Sequence, residues 1–365
     1  MKRFRWTAAL LALILTLTGC AGEQRENRKD AEKECSIGVI FYGERGRNDQ
    51  LSDAVFAYAD YLEQQFDVRF TFASSENTGH VEATRQLCEQ GVDVILNANT
   101  EAIPESVAVC EEYQVYWLQI LDLPTDTDIV DRFRDSPYYL GSIINDDQST
   151  SRRMTQKVLE TGAERIGVTS LPDTVSTSVT HTTRADSIMN TVLKSDGRSL
   201  EFVLKTYNLI GGLQSMAAQG FQPDALITTT KSFYLPLSDI QEIFGNERLK
   251  VAYFDLVEST RQDLENGSAA AVACGQHNIL GLAFAYAYHY VNSDFRPEQK
   301  LALTCDYILI GSAEEYDLFQ QYCIEQMPYS KEELQGIIDS LDVGVEWLRE
   351  YANSYDLQKI VSKKS

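Results

Sequence analysis

Residues 37–66 read IGVIFYGERGRNDQLSDAVFAYADYLEQQF, a stretch with the pattern of a strand, a polar loop and a helix. The run Ile37–Phe41 is apolar at nearly every position, which is typical of a strand that is buried on both faces. The helix is predicted from four apolar residues spaced four, three and four apart, Leu51, Val55, Tyr58 and Leu62. Such a unit is the first step of a parallel α/β sheet.

The same alternation of short β-branched runs with amphipathic segments continues along most of the chain. The predicted strands are Ile37–Phe41, Val68–Phe72, Val92–Leu96, Val115–Leu121, Tyr139–Ile144, Ile166–Thr169, Phe202–Leu204, Ala225–Thr228, Val251–Phe254, Ala270–Ala273 and Tyr307–Ile310. They are enough for two sheets of similar size, one before about Gly141 and one after it. No low-complexity linker separates the halves, which favours several short hinge crossings. We therefore predict an α/β fold of two similar domains, each a parallel sheet flanked by helices.

The two ends of the chain carry separate signals. Residues 1–19 have a basic start, an apolar stretch too short to span a membrane and a small-residue exit, which is the pattern of an export signal. Leu17-Thr18-Gly19-Cys20 resembles the bacterial lipobox, which implies acylation of Cys20, anchoring to the cell membrane and an extracytoplasmic body. The alternative is an ordinary secretory signal with a chance cysteine. Residues 20–35 are polar and are expected to be a flexible tether.

The far end carries a stripe of apolar residues, Leu334, Ile338, Leu341, Val345 and Leu348. This stripe indicates a C-terminal helix docked on its own domain, with a coiled-coil partner helix as the alternative.

Composition excludes several classes of function. The net charge of −22 disfavours binding to nucleic acid or to anionic lipid surfaces. None of the seven cysteines forms a CxxC pair, so the six besides Cys20 are expected to be small buried residues, with disulfides left open. The sequence contains no GxSxG, HExxH, P-loop or zinc-ligand spacing. We therefore predict neither an enzyme nor a cofactor.

Four segments carry a resemblance to a known family. Residues 37–66 and QLCEQGVDVILNA at 86–98 are similar to the opening of the type 1 periplasmic binding proteins. IINDDQSTSRRMTQKVLETGAERIGV at 143–168 resembles the entry of that family into its second domain, and residues 251–288 resemble its late strand–Asp–helix–strand–Gln–helix series. The resemblance implies a first lobe of residues 36–143 plus 277–305 and a second of 144–276 plus 306–365, with a ligand between them.

Candidate ligand-binding residues follow the predicted strands at their carboxyl ends, where open parallel sheets bind ligands. They are Tyr42, Arg45, Arg47, Asn48, Asn99, Asp122, Arg184, Thr230, Lys231, Asp255 and Gln276. In sugar-binding relatives, the positions that match Asp122, Arg184, Asp255 and Gln276 hydrogen-bond to ligand hydroxyls, and Tyr42 is a candidate ring against the sugar face. The alternatives are that the two aspartates only cap helices or turns, and that Arg184 lies on the surface.

Two loops depart from the sugar-binding pattern. The first loop, GERGRNDQ, contains Arg45 and Arg47, and the loop after the eighth strand reads TTTKS. Guanidinium groups pair with planar oxyanions, so a sugar, a sugar acid and a nucleoside-like ligand all remain open.

The resemblance implies solute capture for the permease of an ABC importer. Presentation of a bound signal to a membrane sensor kinase or chemoreceptor, a ligand-free structural lipoprotein and a glycoside-directed enzyme are the alternatives.

Overall fold

A computed structural model describes residues 34–41, 50–75, 78–124, 126–172, 180–230 and 236–364. These residues form two six-stranded sheets with helices packed on them. The predicted fold class, two similar α/β domains, is confirmed.

The chain first builds five strands with intervening helices: β1 (Cys35–Ile40), α1 (Gln50–Gln65), β2 (Val68–Ala73), α2 (His80–Glu89), β3 (Val94–Asn97), α3 (Ile103–Tyr113), β4 (Tyr116–Leu121), α4 (Thr127–Asp131) and β5 (Tyr139–Asn145). A second series follows: α5 (Asp147–Glu160), β6 (Arg165–Ser170), α6 (Thr180–Leu193), β7 (Ser199–Lys205), α7 (Leu209–Ala218), β8 (Ala225–Thr228), α8 (Leu237–Phe244), β9 (Lys250–Phe254), α9 (Thr260–Glu265) and β10 (Ala269–Cys274).

The last part of the chain contributes to both sheets. It comprises α10 (Asn278–Asn292), β11 (Leu301–Cys305), β12 (Ile308–Ile310), α11 (Ala313–Phe319), a π-helix (Gln320–Glu325), α12 (Lys331–Ser340), α13 (Glu346–Asn353) and α14 (Leu357–Lys364). We use lobe 1 for the sheet ordered β11-β5-β4-β3-β1-β2 with its helices, and lobe 2 for the sheet ordered β12-β10-β9-β8-β6-β7 with its helices.

The chain passes between the two sheets at three places: after Asn145, between Cys274 and Asn278, and after Cys305. The first and third crossings lie side by side, because the Asp146 amide donates to the Cys305 carbonyl at 2.9 Å. β5, β10 and β11 all end at a crossing. Parallel strands share their direction, so the carboxyl ends of both sheets face the space between the lobes.

Two strands differ from the sequence prediction. β11 was not predicted, because a run of only five residues, LALTC, is too short to give a clear periodic signal in the sequence. β12 runs antiparallel to β10, whereas the other pairings in both sheets are parallel. β10 runs towards the crossing and β12 leaves from it, with Cys274 paired to Ile308, so their directions must oppose.

Successive side chains of a strand point to opposite faces of its sheet, so each sheet has core residues on both faces. Val39 and Leu96 point to the face of the first sheet that α10 covers, and their neighbours Ile40 and Ile95 point to the opposite face. The α10-side cluster continues past the crossings to Tyr253 on the second sheet. The two lobes therefore share apolar packing at the crossings while each sheet keeps its own second face buried. The six cysteines in the described residues are buried and free.

The C-terminal stripe docks on its own chain, on two short helices, α12 and α13, and the turn between them, and not on one long helix. Leu334, Leu341 and Leu348 are fully buried, and Gly344 breaks the helical path with a φ of 141°. α12 packs against α10, and α13 packs against β11, both in lobe 1. α14 packs against α11 and the π-helix. The tail thus contacts both lobes, whereas the sequence resemblance assigned it to the second alone.

Across the described ranges, no helix combines the length and the apolar character needed to cross a bilayer.

A pair of helical glycines provides a test of this packing. A Cβ at Gly281 in α10 would lie 2.1 Å from the Tyr58 hydroxyl of α1, whereas a Cβ at Gly336 in α12 would meet nothing within 4 Å. We expect Gly281→Ala to lower the free energy of unfolding by about 1–3 kcal/mol through overpacking. Gly336→Ala should raise it by about 0.5–1 kcal/mol through helix propensity. Urea denaturation measures both, and equal effects at the two sites would contradict the close packing of α10 on α1.

Candidate functional site

The carboxyl ends of β3 and β4 are held together by one buried glutamine. Gln119 accepts a hydrogen bond from Asn97 at 2.8 Å, and its own amide donates to the Asn99 and Asp122 carbonyls, each at 2.8 Å. Leu121 adopts a left-handed φ of 67°, which turns the chain at the strand end. The Asn99 side-chain nitrogen is buried and has no hydrogen-bond partner in the described part of the chain. It is therefore a buried donor whose hydrogen-bonding capacity is left unused by the described residues.

Asp122 links the two lobes directly. One of its carboxylate oxygens accepts from its neighbour Leu123 at 2.8 Å, and the other accepts from the Thr180 hydroxyl at 2.8 Å. Thr180 is the first residue of α6 in lobe 2. The Asp122 side chain therefore both shapes its own turn and reaches across the gap.

Arg184 is buried in lobe 2, where three hydrogen bonds hold its guanidinium group. Its Nε donates to Asp147 at 2.6 Å, Nη1 to the Thr229 carbonyl at 2.7 Å, and Nη2 to the Tyr307 hydroxyl at 2.7 Å. Its guanidinium carbon lies 3.8 Å from the centroid of the Phe254 ring, and such cation–π stacking favours the charged form. The expected alternative of a surface arginine is thus wrong, since Arg184 is only 6% exposed.

The charge of Arg184 is compensated inside the protein. Burial alone would lower the pKa of Arg184, but the Asp147 carboxylate and its neighbours leave that pKa above its ordinary value. Burial raises the pKa of Asp147, while the Arg184 guanidinium and the Tyr307 hydroxyl act in the opposite direction. The Tyr307 hydroxyl also donates to Asp147 at 2.9 Å. A guanidinium does not deprotonate, so the pair is best described as a buried ion pair.

Asp255 and Gln276 meet where the second crossing leaves lobe 2. Asp255 directly follows β9 with a left-handed φ of 68°, and its amide donates to the Ala273 carbonyl at 2.8 Å. Its carboxylate accepts a hydrogen bond from the Gln276 side-chain amide. Both residues line a pocket of about 290 Å³ whose opposite wall is α1 of lobe 1. These two predicted residues are therefore adjacent to each other and to both lobes.

The loop after β8 contains Thr230 and lies against His181, a half-buried residue of α6. The Thr228 hydroxyl donates to the Thr230 carbonyl at 3.1 Å, which fixes the turn at the strand end. His181 Nδ1 lies 3.1 Å from the Thr229 hydroxyl. Burial, with a smaller contribution from Arg184, lowers the pKa of His181 to about 4, so the ring is neutral at neutral pH.

Several of the predicted residues cannot be placed. Tyr42, Arg45, Arg47, Asn48, Lys231 and the lipidation candidate Cys20 lie outside the described residues. Among the residues that are described, no three His, Cys, Asp or Glu side chains come together as a group that could hold a metal ion.

Sequence reasoning missed Asp147, Tyr307, His181 and Gln119. A signal for Asp147 was present in the motif IINDDQ, which has two aspartates where helix capping needs one. Asp146 is the cap, because it accepts from the Ser149 amide at 2.8 Å. The second aspartate was therefore available for another partner.

Comparisons with known proteins agree with this architecture. No protein-family model matches the chain, and no curated protein sequence matches it. Among solved structures, a galactofuranose-binding protein matches at a TM-score of 0.62 and 14% identity, covering 81% of this chain and 100% of its own. An arabinose-binding component of a Shewanella ABC transporter matches at a TM-score of 0.60 and 14% identity, covering 82% and 98%. A solute-binding protein from Actinobacillus succinogenes with bound D-allose matches at a TM-score of 0.62 and 9% identity, covering 77% of this chain and 98% of its own.

The chain has the type 1 periplasmic-binding-protein fold, as its resemblance implied. Each of the three matched structures is described as a binding protein.

The buried ion pair yields a stability test. Asp147→Asn leaves the Arg184 charge without compensation in the interior, and we expect it to lower the free energy of unfolding by about 3–5 kcal/mol. The double variant Asp147→Leu/Arg184→Met removes both charges, so its free energy of unfolding should fall by less than that of Asp147→Asn. Asp317→Asn is the matched control, because it breaks an ion pair with Arg261 that is about half exposed. If Asp147→Asn costs no more than this control in urea denaturation, the pair does not stabilise lobe 2.

Proposed function

We propose that the chain is an extracytoplasmic solute-binding protein that holds a sugar-like ligand between its lobes and delivers it to an ABC importer. The observation that carries this proposal is the Asp255–Gln276 pair, which lies at a crossing and lines a pocket bounded by both lobes. A carboxylate and an amide offer the acceptors and donors that hydroxyl groups need. The lobes are proposed to comprise residues 36–143 plus 277–305 and 144–276 plus 306–365.

The charge of the described site favours a neutral polyol over an anion. Arg184 is already paired with Asp147, so it can donate its remaining N–H bonds to hydroxyls without attracting a negative charge. The pocket beside Asp255 is lined by a second carboxylate, Asp53, and by no lysine or arginine among the described residues. Two carboxylates would repel a sugar acid or a phosphate. The matched structures support a sugar-like ligand, since they are a galactofuranose-binding protein, a protein with bound arabinofuranose and a protein with bound D-allose.

The proposed ligand contacts come from both lobes. Asn99 and Asp122 would act from lobe 1, Arg184, Thr230 and Asp255 from lobe 2, and Gln276 from the crossing. The buried donor of Asn99 supports this role, because a ligand hydroxyl can satisfy it. Five further predicted residues, which lie outside the described ranges, are proposed to complete the site: Tyr42, Arg45, Arg47, Asn48 and Lys231.

Closure of the lobes is the proposed mechanism of capture. A ligand that touches both lobes stabilises the closed arrangement, and a membrane partner can distinguish it from the open one. The Asp122–Thr180 hydrogen bond supports this mechanism, since it joins lobe 1 to lobe 2. Binding without catalysis is the proposed role of the site. Acylation of Cys20 is proposed to keep the protein at the membrane that contains its partner.

Ligand binding is tested with a thermal-shift screen against sugars, inositols, sugar acids, nucleosides and amino acids, followed by calorimetry of each hit. We expect a neutral polyol to raise the melting temperature. Asp255→Asn should raise the Kd of that ligand about 10–100-fold, because it removes a charged hydrogen-bond acceptor. The matched control is Asp239→Asn, at an exposed position of α8. A sugar acid as the tightest ligand, or an unchanged Kd in Asp255→Asn, would refute the proposed site.

Anchoring is tested by expression of the full chain in bacteria with the Cys20→Ser substitution. The unsubstituted protein should sediment with membranes and gain the mass of its acyl chains, and the variant should do neither. Equal membrane association of the two proteins would show that Cys20 is not the anchor.

A further inference from the structure

Two of the buried cysteines lie next to each other in lobe 1. Cys88 belongs to the last turn of α2 and Cys110 to the last turn of α3. Both pack in the apolar cluster on the face of the first sheet that lies opposite to α10. The Cys110 thiol donates a hydrogen bond to the Cys88 sulfur. Cys88 is 5% exposed and Cys110 is fully buried, so the pair is enclosed by protein on nearly all sides.

Contacts on either side of this pair hold the two helices together at the same level. Arg85 of α2 forms an ion pair with Glu112 of α3, with 3.6 Å between Nη1 and Oε2. The Tyr113 hydroxyl of α3 donates to the Glu89 carboxylate of α2 at 3.3 Å. These four residues lie within about one helical turn of the two cysteines. The thiols therefore face each other because the helices pack there, which is the arrangement that a disulfide between two elements requires.

The two thiols differ in acidity and in access. The hydrogen bond from Cys110 lowers the pKa of Cys88 against the effect of burial, and the Arg85 guanidinium acts in the same direction as that bond. The hydrogen bond with Cys88 and burial both raise the pKa of Cys110. The thiolate is the form that attacks a disulfide. Cys88, which is also the more exposed of the two, is thus the sulfur that reacts first with an oxidant.

The pair lies at the end of lobe 1 opposite to the gap. α2 and α3 begin after the carboxyl ends of β2 and β3, and they end just before β3 and β4 begin. The Val115 amide, directly before β4, donates to the Cys110 carbonyl at 2.9 Å. A covalent bond at this place would join two helices of one lobe and would not touch the residues that are proposed to bind ligand.

We propose that Cys88 and Cys110 form a disulfide in the exported protein. The structure describes the reduced form, in which both thiols are free. The proposal rests on the proposed function, because an extracytoplasmic location exposes the chain to oxidants, whereas thiols are kept reduced in the cytosol. The bond stabilises lobe 1 by cross-linking two positions that are 22 residues apart in the sequence.

The oxidant is itself a disulfide, carried by a thiol oxidoreductase or by a small thiol compound. The Cys88 thiolate attacks one sulfur of that disulfide, forms a mixed disulfide and releases the other sulfur as a thiolate. The Cys110 thiol then loses its proton and attacks the Cys88 sulfur, which releases the second thiolate of the oxidant. Two cysteine thiols are oxidised, the oxidant is reduced to two thiols, and the two cysteine protons end on those thiols.

The bond is tested on the exported full chain by peptide mapping. Cells are lysed with an alkylating agent that blocks free thiols, and the protein is digested without reduction by a glutamate-specific protease. Cleavage after glutamates gives the peptides 83–89 and 106–111, which contain one cysteine each. We expect one disulfide-linked species that reduction separates into these two peptides. Recovery of both peptides in alkylated form would overturn the proposal.

The contribution of the bond to stability is tested by thermal denaturation with and without a reductant. Reduction should lower the melting temperature by about 5–10 °C, because it releases a loop that the cross-link closes. Cys88→Ala/Cys110→Ala should melt near the reduced protein and should not respond to the reductant. The matched control is Cys35→Ala, at another buried cysteine of lobe 1, and it should keep the response. An equal response in the double variant would overturn the assignment of the bond to this pair.

The peptide map needs no variant, so it decides the proposal even if the double variant does not fold. The outcomes also separate this proposal from the proposed function. Sugar binding by a protein in which Cys88 and Cys110 are alkylated would overturn the disulfide alone. A mapped disulfide in a protein that binds no sugar would support the disulfide and overturn the proposed ligand class.

Discussion

The common direction of the strands is the constraint on which the rest of the structure depends. β5, β10 and β11 each end where the chain passes between the lobes, so every parallel strand brings its carboxyl end to the same gap. The residues that follow those ends are therefore forced together although they are far apart in sequence. Asp122 meets Thr180, and Asp255 meets Gln276, for this reason. The strand topology thus determines where these residues meet, and the side chains determine only the chemistry of that place.

Internal charge compensation then determines what the gap can accept. An isolated guanidinium in the interior would be costly, and it would attract an anion. The Asp147 carboxylate at 2.6 Å and the Phe254 ring below the guanidinium remove both effects for Arg184. The Arg184 guanidinium then remains as a rigid hydrogen-bond donor beside acidic and amide groups. This combination is the reason for the proposal of hydroxyl recognition over carboxylate or phosphate binding.

Much of the fold follows from local sequence patterns. The strand β1 and the helix α1 were readable because one is a short apolar run and the other repeats at helical spacing. The same holds for Asp122 and Asp255, which directly follow apolar strands. β11 and Asp147 were missed because their roles depend on partners distant in the chain, β5 and Arg184. The contact of the tail with lobe 1 depends in the same way on α10 and β11, which precede it in the chain and are not signalled by the stripe itself.

The central claim is that one ligand holds the two lobes together, and an intramolecular distance tests it most directly. Glu101 and Glu258 are exposed residues that follow β3 of lobe 1 and β9 of lobe 2. Spin labels on cysteines introduced at these two positions report the width of the gap by pulsed electron resonance, because the six described native cysteines are buried. If one ligand holds the lobes together, we expect a broad distance distribution without ligand that becomes shorter and narrower when a binding sugar saturates the protein. A distribution that saturating ligand leaves unchanged would contradict it.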